Sequence, residues 1–113
     1  MTDCLFCKIA RKELDAEIVM ESDDVLAFRD INPAAPTHVL VIPKRHIASA
    51  RDINAEDGEM LGRMFSALNT IAADEGLEGG YRIVTNVGPD AGQSVPHLHF
   101  HLLGARSMAW PPG

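Results

Sequence analysis

The chain has 113 residues and a formal charge of −6, with 46% hydrophobic and 23% charged residues. No basic run is longer than Lys44-Arg45, which argues against a nucleic acid as partner, and the composition predicts one globular domain over residues 1–113. No stretch approaches the roughly 20 apolar residues that cross a bilayer, and the first residues lack the pattern of a signal peptide. We therefore expect a cytoplasmic protein with no membrane partner.

The first half of the chain predicts a short helix and three strands. Residues 4–14 carry apolar side chains at near-helical spacing, which predicts an amphipathic helix. Two short apolar runs, 18–20 and 25–28, predict a β-hairpin, and two prolines in residues 29–36 indicate that the chain then leaves the sheet. The continuous β-branched run 37–43 predicts a central strand that is covered on both faces.

The second half predicts one long helix and two further strands. Asn54 with Asp57 three residues later resembles a capping box, and apolar residues then recur every three or four positions up to Gly76, a typical C′ residue. Residues 81–86 predict a strand, and a Gly-rich loop over 87–94 follows it. An α+β fold is expected from these elements.

Histidine and apolar residues alternate in residues 95–103, which predicts a last strand with His97, His99 and His101 on one face. Such a row is a solvated strand face, a metal site, or a catalytic site. A neutral imidazole is a good nucleophile and leaving group at phosphorus, and the middle histidine, His99, is the expected attacker. His38, which opens the strand 37–43, is a structural residue unless it lies beside this row.

Two smaller features leave alternatives open. Cys4 and Cys7 form a C-x-x-C, which in a reducing compartment indicates a metal site, a redox pair or two buried thiols. In the Gly-rich loop, Gly92 with Asn86 and Ser94 is either turn chemistry or a phosphate-binding arrangement.

These residues carry a resemblance to a known family. Residues 97–103 match the His-φ-His-φ-His-φ-φ signature, in which φ is apolar, of the histidine triad (HIT) superfamily. Further segments resemble its Hint branch, the histidine triad nucleotide-binding proteins, more than the Fhit or uridylyltransferase branches; they are residues 28–33, 36–44, 80–82, 92–95 and the Trp-Pro-Pro-Gly ending at 110–113.

The resemblance implies a fold and an activity. The implied fold is a HIT fold of class α+β, an antiparallel five-stranded sheet with one long helix and a short N-terminal helix, and a homodimer that forms a continuous sheet. The implied reaction is hydrolysis of purine nucleoside 5′-phosphoramidates through a nucleotidyl-histidine intermediate, releasing AMP or GMP and an amine, with no cofactor required for catalysis. The alternatives are a dinucleoside polyphosphate hydrolase and a non-catalytic nucleotide-binding or scaffold dimer.

The resemblance also implies residue roles. His99 attacks phosphorus, His101 binds the phosphate, and His38 orients the triad or relays protons. Asp30 accepts both ribose hydroxyls. The remaining nucleotide contacts implied are Asn86, Gln93 and Ser94 with the Gly92 and Val95 backbone around the phosphate, Leu5, Phe6, Ile9 and Ile31 as base-pocket walls, and Trp110 reaching toward the other subunit's site.

The two cysteines depart from the best-known members, which lack one or both. Cys4 and Cys7 with His46 and His97 match a structural zinc site of some bacterial relatives, and the alternative is two unmetallated cysteines in a short helix. If zinc binds, His97 is a structural ligand. The chemistry is then left to His99, His101 and His38.

Overall fold

The computed structural model describes residues 4–113 and has the predicted α+β architecture. A five-stranded antiparallel sheet has the order β1-β2-β3-β5-β4. Its strands are β1 (Ile18–Glu21), β2 (Val25–Arg29), β3 (Thr37–Pro43), β4 (Tyr81–Val84) and β5 (Phe100–Gly104). The helices are α1 (Leu5–Ala10) and α2 (Gly58–Asp74), and 3₁₀ turns occur at Ala50–Asp52, Ala55–Asp57 and Pro89–Ala91.

Strand β3 is the centre of the sheet, as its β-branched sequence predicts. It pairs with β2 on one side and β5 on the other, and every one of its residues is buried. Alternate residues of β2 and β3 point to opposite faces. One face packs against α2, and the other, which includes Phe28 and Leu40, packs against Phe6 and Ile9 of α1. The short helix α1 therefore covers the face that carries the site described below.

The predicted capping box is confirmed, and it caps the 3₁₀ turn that leads into the long helix. The Asn54 side chain accepts a hydrogen bond from the Glu56 N–H at 2.9 Å, and the Asp57 side chain accepts from the Asn54 N–H at 3.0 Å. A 3₁₀ turn follows this box before α2 begins at Gly58. At the other end Gly76 adopts a φ of +75°, the left-handed conformation expected just after a helix.

The predicted strand 95–103 is wrong over its first five residues, because β5 begins only at Phe100. Pro96 has no N–H for a sheet ladder. The His97 N–H donates to the Val95 carbonyl at 2.8 Å, and the Leu98 N–H donates to the Ile47 carbonyl at 2.6 Å. Residues 95–99 are thus a turn and an extended segment held against the chain that leaves β3.

Other element ends also differ from the sequence expectations. Helix α1 ends at Ala10 rather than near Leu14, because Lys12 takes a positive φ of 65°. Strand β4 ends at Val84 rather than at residue 86. The hairpin strands each extend one residue further than predicted.

Within residues 4–113, each helix is too short or too polar to cross a membrane.

Candidate active site and metal centre

A cavity of about 360 Å³ lies on the α1 side of the sheet. Its walls are mostly apolar, and its polar groups include two of the triad histidines. The predicted residues among its lining are Leu5, Phe6, Ile9, Asp30, Ile31, Ser94, Val95, His99 and His101. Sequence reasoning missed the rest of the lining, which is Leu14, Asp15, Ala16, Phe28, Arg29 and Leu40.

The sheet register brings His38 to His101. Leu40 of β3 is the partner of His101 in β5, and His38 lies two residues before Leu40, so its side chain projects from the same face. The Nε2 atom of His38 is 2.9 Å from Nδ1 of His101. His38 is therefore beside the histidine row, the condition under which it has more than a structural role.

Neighbouring groups fix the proton on His38. The Ala34 N–H, which can only donate, donates to His38 Nδ1 at 2.9 Å. A neutral His38 must then carry its proton on Nε2 and donate it to His101 Nδ1. Burial lowers the pKa of His38, opposed by the Asp30 carboxylate, whose Oδ2 is 3.4 Å from Nε2.

His101 consequently presents an N–H group at the cavity. Because its Nδ1 accepts from His38, a neutral His101 carries its proton on Nε2. Within residues 4–113, this Nε2 is the one fully buried side-chain nitrogen or oxygen without a hydrogen-bond partner. Burial, with smaller contributions from His99 and His38, lowers the pKa of His101 to about 4, so its ring is neutral at pH 7. An unpartnered buried donor of this kind is suited to an acceptor on a ligand.

The proton of His99 is fixed in the complementary way. Its Nδ1 is 2.7 Å from the His97 carbonyl oxygen, which can only accept, so Nδ1 carries the proton and Nε2 keeps a lone pair. The ring contacts those of His101 and Phe6, with centroid distances of 5.0 and 5.1 Å. The Thr85 hydroxyl donates to the His99 carbonyl at 2.8 Å and holds the backbone here. The sequence offered no local signal for Thr85, because its contact is tertiary.

His97 faces away from the cavity and joins the cysteines. It is fully buried, and its Nδ1 is 3.2 Å from Cys4 Sγ and 3.5 Å from Cys7 Sγ. His46 Nδ1 is 3.2 Å from Cys7 Sγ. The expected row of three imidazoles at one site is therefore divided, with His97 in this cluster and His99 and His101 at the cavity, because the chain turns at residues 95–98.

The donor set of this cluster fits a zinc ion. The four ligand atoms lie within 4.8 Å of one another, and a tetrahedral zinc site places its ligands about 3.3 to 3.8 Å apart. His97 Nε2 donates to the Pro43 carbonyl at 2.8 Å, which leaves the Nδ1 lone pair directed at the cluster. Burial, with the neighbouring Cys4 thiol, raises the pKa of Cys7, so a bound cation would supply the charge that favours its thiolate.

A second group of metal-ligand residue types, Asp30, His38 and His101, does not fit a metal in the same way. A metal-bound histidine donates a hydrogen bond through its other nitrogen. His38 Nδ1 instead accepts from the Ala34 N–H, so Nε2 must keep its proton. We interpret this group as a hydrogen-bonded relay.

Several predicted nucleotide contacts lie outside the described lining of the cavity. Gln93 uses its side chain within the loop, donating to the Ala48 and Val95 carbonyls and accepting from the Gly88 N–H. Asn86 is half-buried, and Gly92 has a φ of +82°. Trp110 is 81% exposed, so in a single chain it does not close the cavity.

Comparisons with known proteins agree with this geometry. A family model described as the HIT domain matches residues 11–108. The crystal structure of a HIT family hydrolase from Legionella pneumophila has a TM-score of 0.97 and 54% identity, covering 98% of this chain and 100% of that one. An uncharacterized HIT-like protein of Synechococcus elongatus is 55% identical over 98% of this chain and 97% of its own length. A 14 kDa zinc-binding protein of Zea mays is 50% identical, over 96% and 87% respectively.

Proposed function

Because the chain belongs to the HIT family, we propose that it hydrolyses purine nucleoside 5′-phosphoramidates through a nucleotidyl-histidine intermediate. The products are AMP or GMP and an amine. The similarity to a protein named as a HIT family hydrolase supports the reaction class. The observation that carries the proposal is the placement of protons on the imidazoles, with a free lone pair on His99 and an unpartnered N–H on His101 at one cavity.

In the first step His99 Nε2 attacks phosphorus. A nitrogen–phosphorus bond to the ring forms, the bond to the substrate amine breaks, and the amine takes a proton as it leaves. The Nδ1–H remains bonded to the His97 carbonyl, which stabilises the positive ring that forms. In the second step water attacks the same phosphorus, His99 leaves as a neutral imidazole, and the nucleoside monophosphate is released.

His101 and His38 support both steps. The neutral His101 Nε2–H donates to a non-bridging phosphate oxygen and stabilises the charge that develops there. The His38 Nε2–H donates to His101 Nδ1 and so keeps the His101 proton on Nε2, directed at the phosphate. The leaving amine takes its proton from solvent water, and the water consumed in the second step returns one proton to solvent.

The rest of the cavity suits a purine nucleoside. Asp30 Oδ1 accepts from the Asn32 N–H at 2.8 Å, and a carboxylate has further acceptor positions for ribose hydroxyls. Leu5 and Ile31, which are 46% and 90% exposed, are apolar side chains at the cavity with area to bury against a base. Ser94 lines the same cavity as His99 and His101, which supports a role as a phosphate or leaving-group contact.

We further propose that Cys4, Cys7, His46 and His97 hold a structural zinc ion. The fit of the donor set and the similarity to a zinc-binding protein support this. Such an ion would cross-link α1 to the segment that follows β3 and to the segment that precedes β5. The chemical steps above need only this chain's residues and water.

We also propose a homodimer in which β4 pairs with its counterpart. Strand β4 is at one edge of the sheet, and its residues are exposed or half-buried. Phe65 on α2 is 40% exposed although its ring packs on Phe100 of the neighbouring strand β5, at a centroid distance of 5.1 Å. An unpaired edge beside an exposed aromatic ring is a surface that a second copy can cover.

The test compares an adenosine 5′-phosphoramidate with a diadenosine polyphosphate, using wild type and His99→Ala. We expect release of the amine from the phosphoramidate and a loss of at least about a thousandfold in kcat for His99→Ala. AMP binding to the same variant, within about tenfold of wild type, separates lost chemistry from lost binding. Faster cleavage of the polyphosphate would change the substrate class, and AMP binding without turnover of either compound would replace the enzyme with a binding protein.

A further inference from the structure

We infer that nucleotide binding at the cavity and metal binding at the Cys4, Cys7, His46 and His97 cluster are energetically coupled, with Phe6 as the positioning residue between them. The inference rests on the proposed function, because it takes a purine nucleotide as one ligand and zinc as the other. It extends that function to control of the nucleotide site by metal occupancy.

Helix α1 belongs to both sites. Cys4 is its N-cap residue and Cys7 lies in its first turns, whereas Leu5, Phe6 and Ile9 of the same helix line the cavity. A helix of six residues has little stability of its own. Its position therefore depends on what its side chains contact, and two of those side chains are metal ligands.

Phe6 is the side chain that touches both sites. It is 5% exposed, and its ring lies edge-on to His97 at 6.0 Å and to His99 at 5.1 Å between centroids. It also packs edge-on against Phe28, at 5.4 Å. A shift of the metal cluster that moves α1 must move this ring, and with it a wall of the cavity.

His97 provides a second connection through one residue. Its side chain belongs to the metal cluster, and its carbonyl oxygen accepts the Nδ1 proton of His99. A shift of the His97 backbone that accompanies metal binding changes the position of this carbonyl. Phe6 and the His97 backbone thus act on the same ring, that of His99.

Coupling of this kind is reciprocal. If zinc raises the affinity for a nucleotide by some factor, the nucleotide must raise the affinity for zinc by the same factor. Typical couplings between sites are about 5-fold to 150-fold. The coupling between these two sites, which share one helix and one residue, should lie within that range.

The experiment measures both halves of this cycle on the full-length chain. AMP affinity is measured calorimetrically with zinc-loaded and zinc-stripped protein, and zinc affinity is measured by chelator competition with and without saturating AMP. We expect both ratios to be at least about fivefold and to agree. Phe6→Leu should lower both ratios at least about twofold and leave the part carried by His97. Phe28→Leu is the matched control, because Phe28 lines the same cavity and packs on Phe6, but its ring is not packed on that of His97, and it should keep the coupling.

A folding effect is separated by a spectroscopic arm. If stripping the metal unfolds the chain, as circular dichroism would show, the ratios alone do not decide. The cobalt-substituted protein then does, because AMP should shift the ligand-field bands of Co²⁺ in wild type and in Phe28→Leu, and by a smaller amount in Phe6→Leu. Unchanged bands in wild type would overturn the inference.

The remaining outcomes are distinct. Equal AMP affinity with and without zinc in folded protein overturns the coupling and leaves the proposed function intact. A Phe6→Leu variant that retains the wild-type ratio overturns the assignment of Phe6. Failure of AMP to bind the zinc-loaded protein overturns the proposed function itself.

Discussion

The behaviour of the candidate site depends on a few single hydrogen bonds that leave no choice of tautomer. The Ala34 N–H can only donate and the His97 carbonyl can only accept, so the protons of His38 and His99 are fixed at opposite ring positions. His101 then has one arrangement compatible with its neighbour. The sequence predicted that the histidines form a site, but it could not predict their tautomers, because the groups that fix them are backbone atoms brought close by the fold.

Replacing Ala34 with proline tests this proton placement. Ala34 is exposed, so the change removes the N–H that bonds to His38 Nδ1 and alters little packing. His38 can then carry its proton on Nδ1, and His101 loses its N–H toward the cavity. We expect kcat for the phosphoramidate to fall at least about tenfold, with AMP affinity changed less.

The matched control for that variant is Ala34→Gly, which keeps the N–H and loosens the loop. It should retain kcat within about threefold if the hydrogen bond, rather than loop stiffness, is responsible. Equal kcat values for the proline and glycine variants would show that the Ala34 N–H does not control the relay.

At the scale of elements, local patterns predicted what local interactions determine. The β-branched run correctly predicted β3, and the regular apolar stripe after the capping box correctly predicted α2. The alternation in residues 95–103 predicted a strand that is correct only from Phe100, because a period of two describes side-chain direction and not hydrogen bonding. The cavity residues Leu14, Asp15 and Ala16 escaped prediction because they reach the site only through tertiary packing.

The exposed edge of the sheet supports a prediction about assembly. If β4 pairs with a second copy, Phe65 is buried in the interface. Light scattering at micromolar concentration should then give the mass of a dimer. Phe65→Lys should then give a folded monomer, because a buried unpaired ammonium is costly.

Phe65→Leu is the control for the assembly prediction, since it keeps an apolar side chain of similar reach and should remain a dimer. Emission from Trp110, the single tryptophan of the chain, gives an independent measurement. It is 81% exposed in the isolated chain, and its emission should shift to the blue in the dimer if the tail reaches the other subunit. A wild-type monomer at these concentrations would contradict the proposed homodimer.

For the molecule as a whole, the site makes stability depend on pH. Burial lowers the pKa of His38, His97 and His101, so the folded chain resists protonation that the unfolded chain accepts. The sequence indicated this only in part, because five histidines could be counted but their burial could not. The cost of keeping imidazoles neutral in the interior is part of what allows one to donate and another to attack.

His101 gives this dependence a measurable range. Its pKa is about 4 in the folded chain and 6.5 in the reference state, so between these values the unfolded chain binds more protons. The free energy of unfolding should therefore fall as the pH is lowered from 6.5 toward 4, by up to about 3 kcal/mol from this residue alone. Well above pH 6.5 both states are neutral at this position, and the contribution is constant.

Urea unfolding of wild type and His101→Asn between pH 7.5 and 4.5, with zinc saturating in both, isolates this contribution. Asparagine does not titrate, so the variant should lose less stability than wild type as the pH falls. The difference between the two free energies of unfolding should therefore change with pH in this range. All five histidines lie at the cavity, the relay or the metal cluster, and the comparison removes His101 while it keeps the other four. Parallel curves would mean that His101 titrates alike in both states and is not held neutral by burial.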